Sequence, residues 1–177
     1  MIAIGCDHGG YNLKLEIIKY LEKKGLEYKD FGCNGESCDY PIYARKVGQA
    51  IIDGECDKGI LICGTGIGIS IAANKMKGIR CALCSDCFSA EATRLHNDTN
   101  IVALGGRVVG TELAIKIVDT FLEFTAVYPV GTKVMTNEKE LAIVIRQNKE
   151  FSDRPVLRIL ADATGKKVEE EQIKDLV

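Results

Sequence analysis

Short apolar runs alternate with amphipathic stretches through the first 124 residues, and this alternation limits the possible folds more than any other feature. The apolar runs predict β-strands, and the stretches with apolar residues three or four positions apart predict helices. The predicted strands cover 1–6, 26–31, 59–63, 79–84 and 100–104, and the predicted helices cover 10–24, 42–53, 67–76, 86–95 and 111–124. Five strand–helix units predict an α/β fold with an open, doubly wound, parallel five-stranded sheet of Rossmann-like type.

The end of the chain follows a different pattern. Short predicted strands at 134–136, 141–146 and 156–160 alternate with polar turns. All eight cysteines lie before residue 90. We therefore predict a main domain at 1–126 and a small β-rich C-terminal extension at 127–177.

Charge and hydropathy exclude several classes of protein. The formal net charge of −2 argues against a nucleic-acid binder, which would carry a basic excess. No apolar run approaches the roughly 18 residues that a membrane-spanning helix needs. The first residues lack the basic and long apolar regions of a signal peptide. We therefore expect a cytoplasmic protein, with no membrane partner, whose cysteines are mostly thiols.

Polar residues follow the predicted strands, and open parallel sheets bind ligands at the carboxyl ends of their strands. The segment after the first strand is Asp7-His8-Gly9-Gly10. His8 and the free amides of the following helix could hold an anion such as a phosphate. Alternatively, Asp7 caps the helix and His8 is a surface side chain. Position alone leaves both interpretations open.

A glycine-rich segment follows the third strand and reads Cys63-Gly64-Thr65-Gly66-Ile67-Gly68-Ile69-Ser70. Its backbone amides could form a nest for negative charge. The glycine spacing does not fit a dinucleotide site, and no Lys-Ser/Thr pair follows as in a Walker A loop, so a nucleotide-binding domain is disfavoured. Cys63 stands beside a helix N-terminus and could act as a nucleophile or a base. Small cysteines also often serve only as core residues.

Two further side chains fall in predicted loops next to the fifth strand. His96 lies within 94–98, after the fourth helix, and could transfer protons near neutral pH. Arg107 follows the fifth strand and offers a planar fork for phosphate. We predict that His8 and His96 both lie at the ligand-binding edge. The alternatives are a solvated loop histidine and an ordinary surface arginine.

The spacing Cys81-x2-Cys84-x2-Cys87 is compatible with an iron–sulfur or zinc site. However, Cys81 lies in a predicted buried strand, and no fourth ligand stands at motif spacing. We therefore predict no metal ligands.

Several of these segments together resemble the ribose-5-phosphate isomerase B family, which also includes the galactose-6-phosphate isomerase subunits. The resemblance covers residues 1 to about 123 in the correct order. The matching segments are Asp7-His8-Gly9-Gly10, Asp39-Tyr40-Pro41, the run ICGTGIGISIAANK at 62–75, His96-Asn97-Asp98-Thr99-Asn100 and Gly106-Arg107-Val108-Val109-Gly110.

The resemblance implies an aldose–ketose isomerase that needs no metal or cofactor and interconverts ribose 5-phosphate and ribulose 5-phosphate. It implies that Cys63 is the base that moves a proton between C1 and C2. It also implies that His96 assists ring opening, that Thr65 helps in this step, and that the enzyme is a homodimer or homotetramer whose site is shared between subunits. The substrate- and phosphate-binding residues that it implies are Asp7, His8, Tyr40, Gly64, Thr65, Gly66, Ile67, Gly68, Asn97 and Arg107.

The sequence departs from the family after the last predicted helix. A segment with two arginines that clamp the phosphate in the family is absent here. The residues from Tyr128 onward instead resemble the small tail of HD-GYP phosphodiesterases, without any His-Asp metal motif. Two alternative functions therefore stay open, an isomerase for six-carbon sugar phosphates such as allose 6-phosphate and a weakly active phosphosugar-binding protein.

Overall fold

The computed structural model describes residues 1–123, 130–146, 148, 154–168 and 170–177. They form two compact units. The sheet unit comprises Met1–Thr93 and Thr99–Glu123, and the C-terminal unit comprises Arg94–Asp98 with the described part of Phe124–Val177. The predicted domain boundary at 126/127 lies outside the described residues, so the domain limits stay a prediction.

Five parallel strands form the centre of the sheet unit in the order β2-β1-β3-β5-β4. This topology confirms the predicted open, doubly wound sheet. The first ten elements in chain order are β1 Ile2–Cys6, α1 Tyr11–Lys24, β2 Tyr28–Asp30, α2 Tyr40–Ile52, β3 Lys58–Cys63, α3 Ile67–Asn74, β4 Cys81–Leu83, α4 Cys87–Asn97, β5 Ile101–Gly105 and α5 Thr111–Glu123.

Apolar helices cover both faces of this sheet. On one face, Ile17 of α1 and Phe121 of α5 pack against strand residues such as Ile62. On the other face, Val47 of α2 and Ile69 of α3 pack against Leu61 and its neighbours. Every residue of β1 and β5 is buried. Full burial of each large aliphatic side chain contributes about 1.5–3 kcal/mol, so these two layers hold the strand ends rigidly in place.

Two of the differences between predicted and observed helix boundaries affect the candidate site. Helix α2 begins at Tyr40, because Pro41 sits in its first turn, where a proline is favourable rather than disruptive. Helix α4 continues to Asn97 instead of ending at residue 95. His96 and Asn97 therefore lie in the last turn of a helix and not in a loop.

An antiparallel sheet with the order β6-β7-β8-β9 forms most of the C-terminal unit. Its strands are β6 Lys133–Met135, β7 Leu141–Arg146, β8 Val156–Ala161 and β9 Ile173–Asp175. Alternate residues of β7 and β8 point inward and form a small core of Ala142, Val144, Leu157 and Ile159. This sheet confirms the predicted β-rich appendage, although the short strand β9 was not predicted.

Among the described residues, no helix is both long and apolar enough to cross a membrane.

Candidate active site

Three loops meet at the carboxyl edge of the parallel sheet, after β1, β3 and β5. The amide of Asp7 donates to the carbonyl of Ile62 at 3.1 Å, which ties the first loop to β3. The amide of Gly106 donates to the carbonyl of Cys63 at 2.8 Å, and that of Arg107 donates to Gly64 at 3.0 Å. These backbone hydrogen bonds fix the three loops relative to one another without any side chain.

The loops approach so closely that glycine is required at their contacts. A Cβ atom on Gly106 would lie 2.7 Å from the carbonyl oxygen of Gly9. A Cβ atom on Gly9 would lie 2.9 Å from the amide nitrogen of Gly64. Real Cβ atoms essentially never come within 3.0 Å of such an atom. The glycines of all three loops therefore serve the close approach of backbone to backbone.

Cys63 ends β3 at the base of this edge, and its side chain is only 4% exposed. Its sulfur accepts a hydrogen bond from the amide of Gly66 at 3.1 Å. Gly66 has a left-handed backbone (φ +78°) and is the N-cap of α3, so the chain turns sharply and brings the helix N-terminus to the thiol. An amide donor and a helix N-terminus both stabilise negative charge on sulfur.

Further amides of the glycine-rich loop are available to a ligand. Thr65 Oγ1 accepts the amide of Ile67 at 3.3 Å, which closes the turn. In the part of the chain that the structure describes, no hydrogen bond occupies the amides of Thr65 and Gly68. Helix N-termini leave such donors unpaired, and together they form an anion-binding nest beside Cys63.

Asp7 and His8 occupy the first loop in different ways. Asp7 is buried, and its Oδ1 accepts the amides of Gly9 at 2.8 Å and Gly10 at 3.1 Å. This carboxylate therefore fixes the turn before α1, but the N-cap of that helix is Gly10, without a side-chain capping hydrogen bond, so the interpretation of Asp7 as the helix cap is wrong. His8 is exposed, and its Nδ1 lies 3.3 Å from the carbonyl oxygen and 3.4 Å from the amide of Cys38. That contact leaves Nε2 for a ligand.

Tyr40 and Arg107 flank the glycine-rich loop. A Cβ atom on Gly68 would lie 2.7 Å from the ring of Tyr40, so this ring packs against the first turn of α3. The position of a Cβ atom on Gly64 lies 3.7 Å from Nε of Arg107, so the exposed guanidinium stands beside the same loop. The structure thus brings Cys63, the glycine-rich loop, Tyr40 and Arg107 together with the first loop.

His96 and Asn97 lie in the last turn of α4, just before β5 begins. Thr93 and Thr99 flank their helical turn, and the amide of Asn100 bonds to Arg80, immediately before β4 and β5 begin. The exposed turn therefore precedes the amino ends of these strands, whereas Cys63 lies at the carboxyl edge. The direction of the chain argues against the predicted placement of His96 at the same edge as His8, because a helix after a parallel strand leads the chain back toward the start of the next strand.

The three cysteines at motif spacing lie in an environment that does not favour metal binding. Burial raises the pKa of the Cys81 thiol far above its usual range. Burial, followed by repulsion from Asp86, raises the pKa of Cys84 to about 11. Among the described residues, no three potential ligands are grouped to hold a metal.

One site contact could not have been predicted from the sequence. Cys38 holds His8 through its backbone, across 30 positions of the chain. Because any residue type can make a contact through its backbone, the amino-acid sequence does not indicate this contact and only the folded structure shows it. The close approach of Gly9 to Gly64 is similar, because many glycines in this sequence follow strands and only the packing shows which ones touch.

A doubly wound α/β sheet with a buried thiol beside an anion-binding nest defines the class of enzymes that act on small anionic substrates at strand ends. Within that class, residues 2–129 match the model of the Ribose/Galactose Isomerase family. The chain belongs to this family. Residues 133–177 match a model described as a KOW domain associated with an HD domain, in agreement with the resemblance seen in the tail.

Similar proteins support the assignment. Ribose-5-phosphate isomerase B of Escherichia coli K12 is 52% identical over 148 residues, which are 83% of this chain and 98% of that relative. D-erythrulose-4-phosphate isomerase of Pectobacterium atrosepticum is 46% identical over 124 residues, which are 69% of this chain and 82% of that relative. The structure of ribose-5-phosphate isomerase B from Clostridium thermocellum gives a TM-score of 0.69 at 58% identity and covers 70% of this chain and 84% of that one. This chain is a sugar-phosphate isomerase that interconverts an aldose and a ketose.

Proposed function

We propose that this protein interconverts ribose 5-phosphate and ribulose 5-phosphate through an enediolate, without a metal. The observation that carries the proposal is the buried Cys63 sulfur with the Gly66 amide 3.1 Å away, at the edge where ligands bind. As a thiolate, Cys63 takes the C2 proton of the open-chain aldose and delivers it to C1. The amides of the glycine-rich loop stabilise the oxyanion as its charge develops, a contribution of about 3 kcal/mol per donor.

Substrate binding uses the remaining groups of the same edge. Sugar and phosphate oxygens are held by Asp7, His8, Tyr40 and Arg107, as the family resemblance implies. Since the phosphate is remote from the reacting carbons, its binding energy orients C1 and C2 against Cys63. His96 opens the furanose ring with the help of Thr65, and Asn97 contributes to sugar binding.

Two arginines in the described part of the tail are already ion-paired. Arg158 forms an ion pair with Glu171 at 2.9 Å, and Arg146 pairs with Asp175 at 3.6 Å. Both guanidiniums are thus engaged within the C-terminal unit. We infer that Arg107 and His8 carry most of the phosphate contact, so the absence of the clamp raises KM for the sugar phosphate by a larger factor than it lowers kcat.

The first test is turnover of ribose 5-phosphate in the presence of EDTA, with Cys63→Ala and Cys63→Ser beside the parent. The parent is expected to form ribulose 5-phosphate, and both variants are expected to lose at least about 100-fold in kcat, because a hydroxyl is a far weaker base than a thiolate. Allose 6-phosphate serves as the six-carbon alternative. A parent that binds ribose 5-phosphate but converts none of these sugars would instead support the phosphosugar-binding alternative.

We propose further that the site is shared between two subunits. Cys63 ends a strand, whereas His96 comes just before the start of one, so the direction of the chain favours a histidine from a second copy at Cys63. Exposed apolar side chains surround the glycine-rich loop, as an interface requires. They are Ile67, Ile71, Leu83, Phe88 and Val108.

Mixing two inactive variants tests this arrangement. Cys63→Ala and His96→Asn subunits, refolded together in equal amounts, form hybrid dimers in which one of the two sites keeps both residues. Activity should return to about a quarter of the parent value, because half of the dimers are hybrids with one intact site each. No recovery in a mixture that contains hybrid dimers would place both residues in one subunit and contradict the proposal.

A further inference from the structure

The turn that presents His96 and Asn97 lies between buried residues. Both side chains are exposed, whereas Arg94 before them is 1% exposed and Thr99 after them is 6% exposed. An arginine buried to this degree needs charged or polar partners. One such partner is Asp98, whose Oδ1 lies 3.5 Å from the Arg94 guanidinium. The ion pair therefore joins the residues on either side of the His96–Asn97 pair.

The backbone at Asp98 ends the helix in an unusual conformation. Asp98 has φ +47°, in the left-handed region that disfavours most residues with a side chain. Aspartate and asparagine tolerate this region better than other residues do. The helix stops here, and the next residue, Thr99, hydrogen-bonds back to Thr93 through its hydroxyl and its amide, both at 3.4 Å.

The direction of the two exposed side chains depends on these contacts. A helix end normally frays, because its last carbonyls lack partners. The ion pair and the threonine contacts oppose this fraying, so His96 is held on a fixed turn although its own side chain is exposed. A side chain that transfers a proton needs such support, since a displacement of about 1 Å can cost about 100-fold in rate.

We propose that Asp98, through its ion pair with Arg94, is a positioning residue for His96 in the ring-opening step. This inference rests on the proposed function of His96. Asp98 acts on His96 and not on the reacting carbons. Its loss therefore impairs reactions that begin with a closed ring and spares those that begin with an open chain.

An open-chain substrate separates ring opening from proton transfer. D-erythrose 4-phosphate cannot close a furanose ring, because its C4 oxygen carries the phosphate. The similarity to a D-erythrulose-4-phosphate isomerase makes this tetrose a reasonable probe of the same site. Uptake of solvent deuterium at C1 of ribulose 5-phosphate gives a second readout, because this ketose is also an open chain and its enediolate forms without a ring step.

The variants Asp98→Asn and Asp98→Gly remove the charge, and both residue types accept the left-handed backbone. We expect kcat/KM for ribose 5-phosphate to fall about tenfold or more, while tetrose turnover and deuterium uptake stay within about twofold of the parent. Asp86→Asn is the matched control. Asp86 accepts the amide of Ser89 at 2.7 Å and so caps the other end of the same helix. Its loss should change all readouts in the same proportion.

Three outcomes distinguish the inference from the function on which it rests. Selective loss in the Asp98 variants, matching that of His96→Asn, supports the positioning role. Equal loss for closed-ring and open-chain substrates in the Asp98 variants, or no loss at all, overturns the positioning role. If His96→Asn at the same time impairs only the closed-ring reaction, the ring-opening role of His96 stands. If His96→Asn itself lowers both reactions equally, the ring-opening role of His96 fails and the positioning role fails with it.

Discussion

The substitution Gly106→Ala tests the packing of the three loops at the active edge. The new Cβ atom would lie 2.7 Å from the Gly9 carbonyl oxygen and 3.2 Å from the Cα atom of Gly10. Both neighbours are backbone atoms, so no flexible side chain can move aside. Ordinary contact begins at 3.4 Å, so the loops after β1 and β5 must separate by about 0.7 Å, the difference between 3.4 and 2.7 Å.

The expected size of the effect follows from this displacement. Forcing one extra carbon into a packed site costs about 1–3 kcal/mol. Weakening the 2.8 Å hydrogen bond from Gly106 to Cys63 costs about 1 kcal/mol more. We therefore expect a loss of about 3 kcal/mol in the free energy of unfolding, which lowers Tm by about 6–12 °C in a chain of this size. The shift also moves Arg107 relative to Cys63, so kcat/KM should fall by about 100-fold.

Thermal unfolding and steady-state conversion of ribose 5-phosphate, followed by the absorbance of the ketose, measure both effects. Gly110→Ala is the matched control, because a Cβ atom there meets nothing within 4 Å and the residue belongs to the same loop. Because Gly110 directly precedes α5, its replacement by alanine should lower the free energy of unfolding by only about 1 kcal/mol, since glycine is preferred over alanine at a helix N-cap. If Gly106→Ala retained the stability and the kcat/KM of Gly110→Ala, the close contact of the loops would be refuted.

Three further predictions concern charge. Asp30→Asn should lower the free energy of unfolding of the sheet unit by about 3 kcal/mol in chemical denaturation. The reason is that Lys14, whose side chain is 2% exposed, loses its carboxylate partner at 2.7 Å. The control is Glu16→Gln, which removes an exposed ion pair with Lys19 and should cost less than about 0.5 kcal/mol. Because the Cys84 pKa is raised from 9.0 to about 11, the unfolded chain loses this proton first, and stability measured by denaturation should fall as pH rises from 9 to 11. Replacing Cys84 with alanine should reduce the slope of that dependence without abolishing it, because the pKa values of Cys6 and Cys81 are raised as well. Arg158→Ala should change KM for ribose 5-phosphate by less than about twofold, since this side chain is already ion-paired; a large rise would show that the tail binds phosphate.

The fold could be predicted largely from the sequence because buried apolar residues recur in it with the spacing typical of strands and helices. The wholly apolar stretch Gly59–Ile62 has to be a central strand, and it lies between β1 and β5 as such a strand does. The short strand β9 shows no such apolar pattern, since Ile173–Asp175 has one apolar residue and pairs with β8, a distant part of the chain. Edge strands of three residues are defined by pairing and not by composition, so sequence alone cannot locate them.

The sequence predicts the residues of the candidate site correctly only where the prediction takes into account whether a residue comes at the end of a strand or before its start. The rule that ligands bind at strand carboxyl ends identifies Cys63 and Arg107, because Cys63 is the last residue of β3 and Arg107 comes two residues after β5. The same rule fails for His96, which precedes a strand, and the error comes from counting every loop beside β5 as part of one edge. The contact of His8 with Cys38 and that of Tyr40 with Gly68 depend on packing between distant segments.

The eight thiols of this chain illustrate why burial alone does not identify a base. Cys6 and Cys63 are both nearly inaccessible and both end a central parallel strand. Burial raises the pKa of Cys6 to about 12, so this thiol stays protonated and serves as a core residue. Each sulfur is also reached by a backbone hydrogen bond, that of Cys6 from Cys33 and that of Cys63 from Gly66 at 3.1 Å. The difference lies in the backbone that follows each strand. The strand of Cys6 leads into a turn closed by Asp7, whereas the strand of Cys63 leads into a helix N-terminus where, among the described residues, the amides of Thr65 and Gly68 have no acceptor. The glycine-rich sequence after Cys63 thus makes a chemically usable thiol out of a position that would otherwise be an ordinary core cysteine.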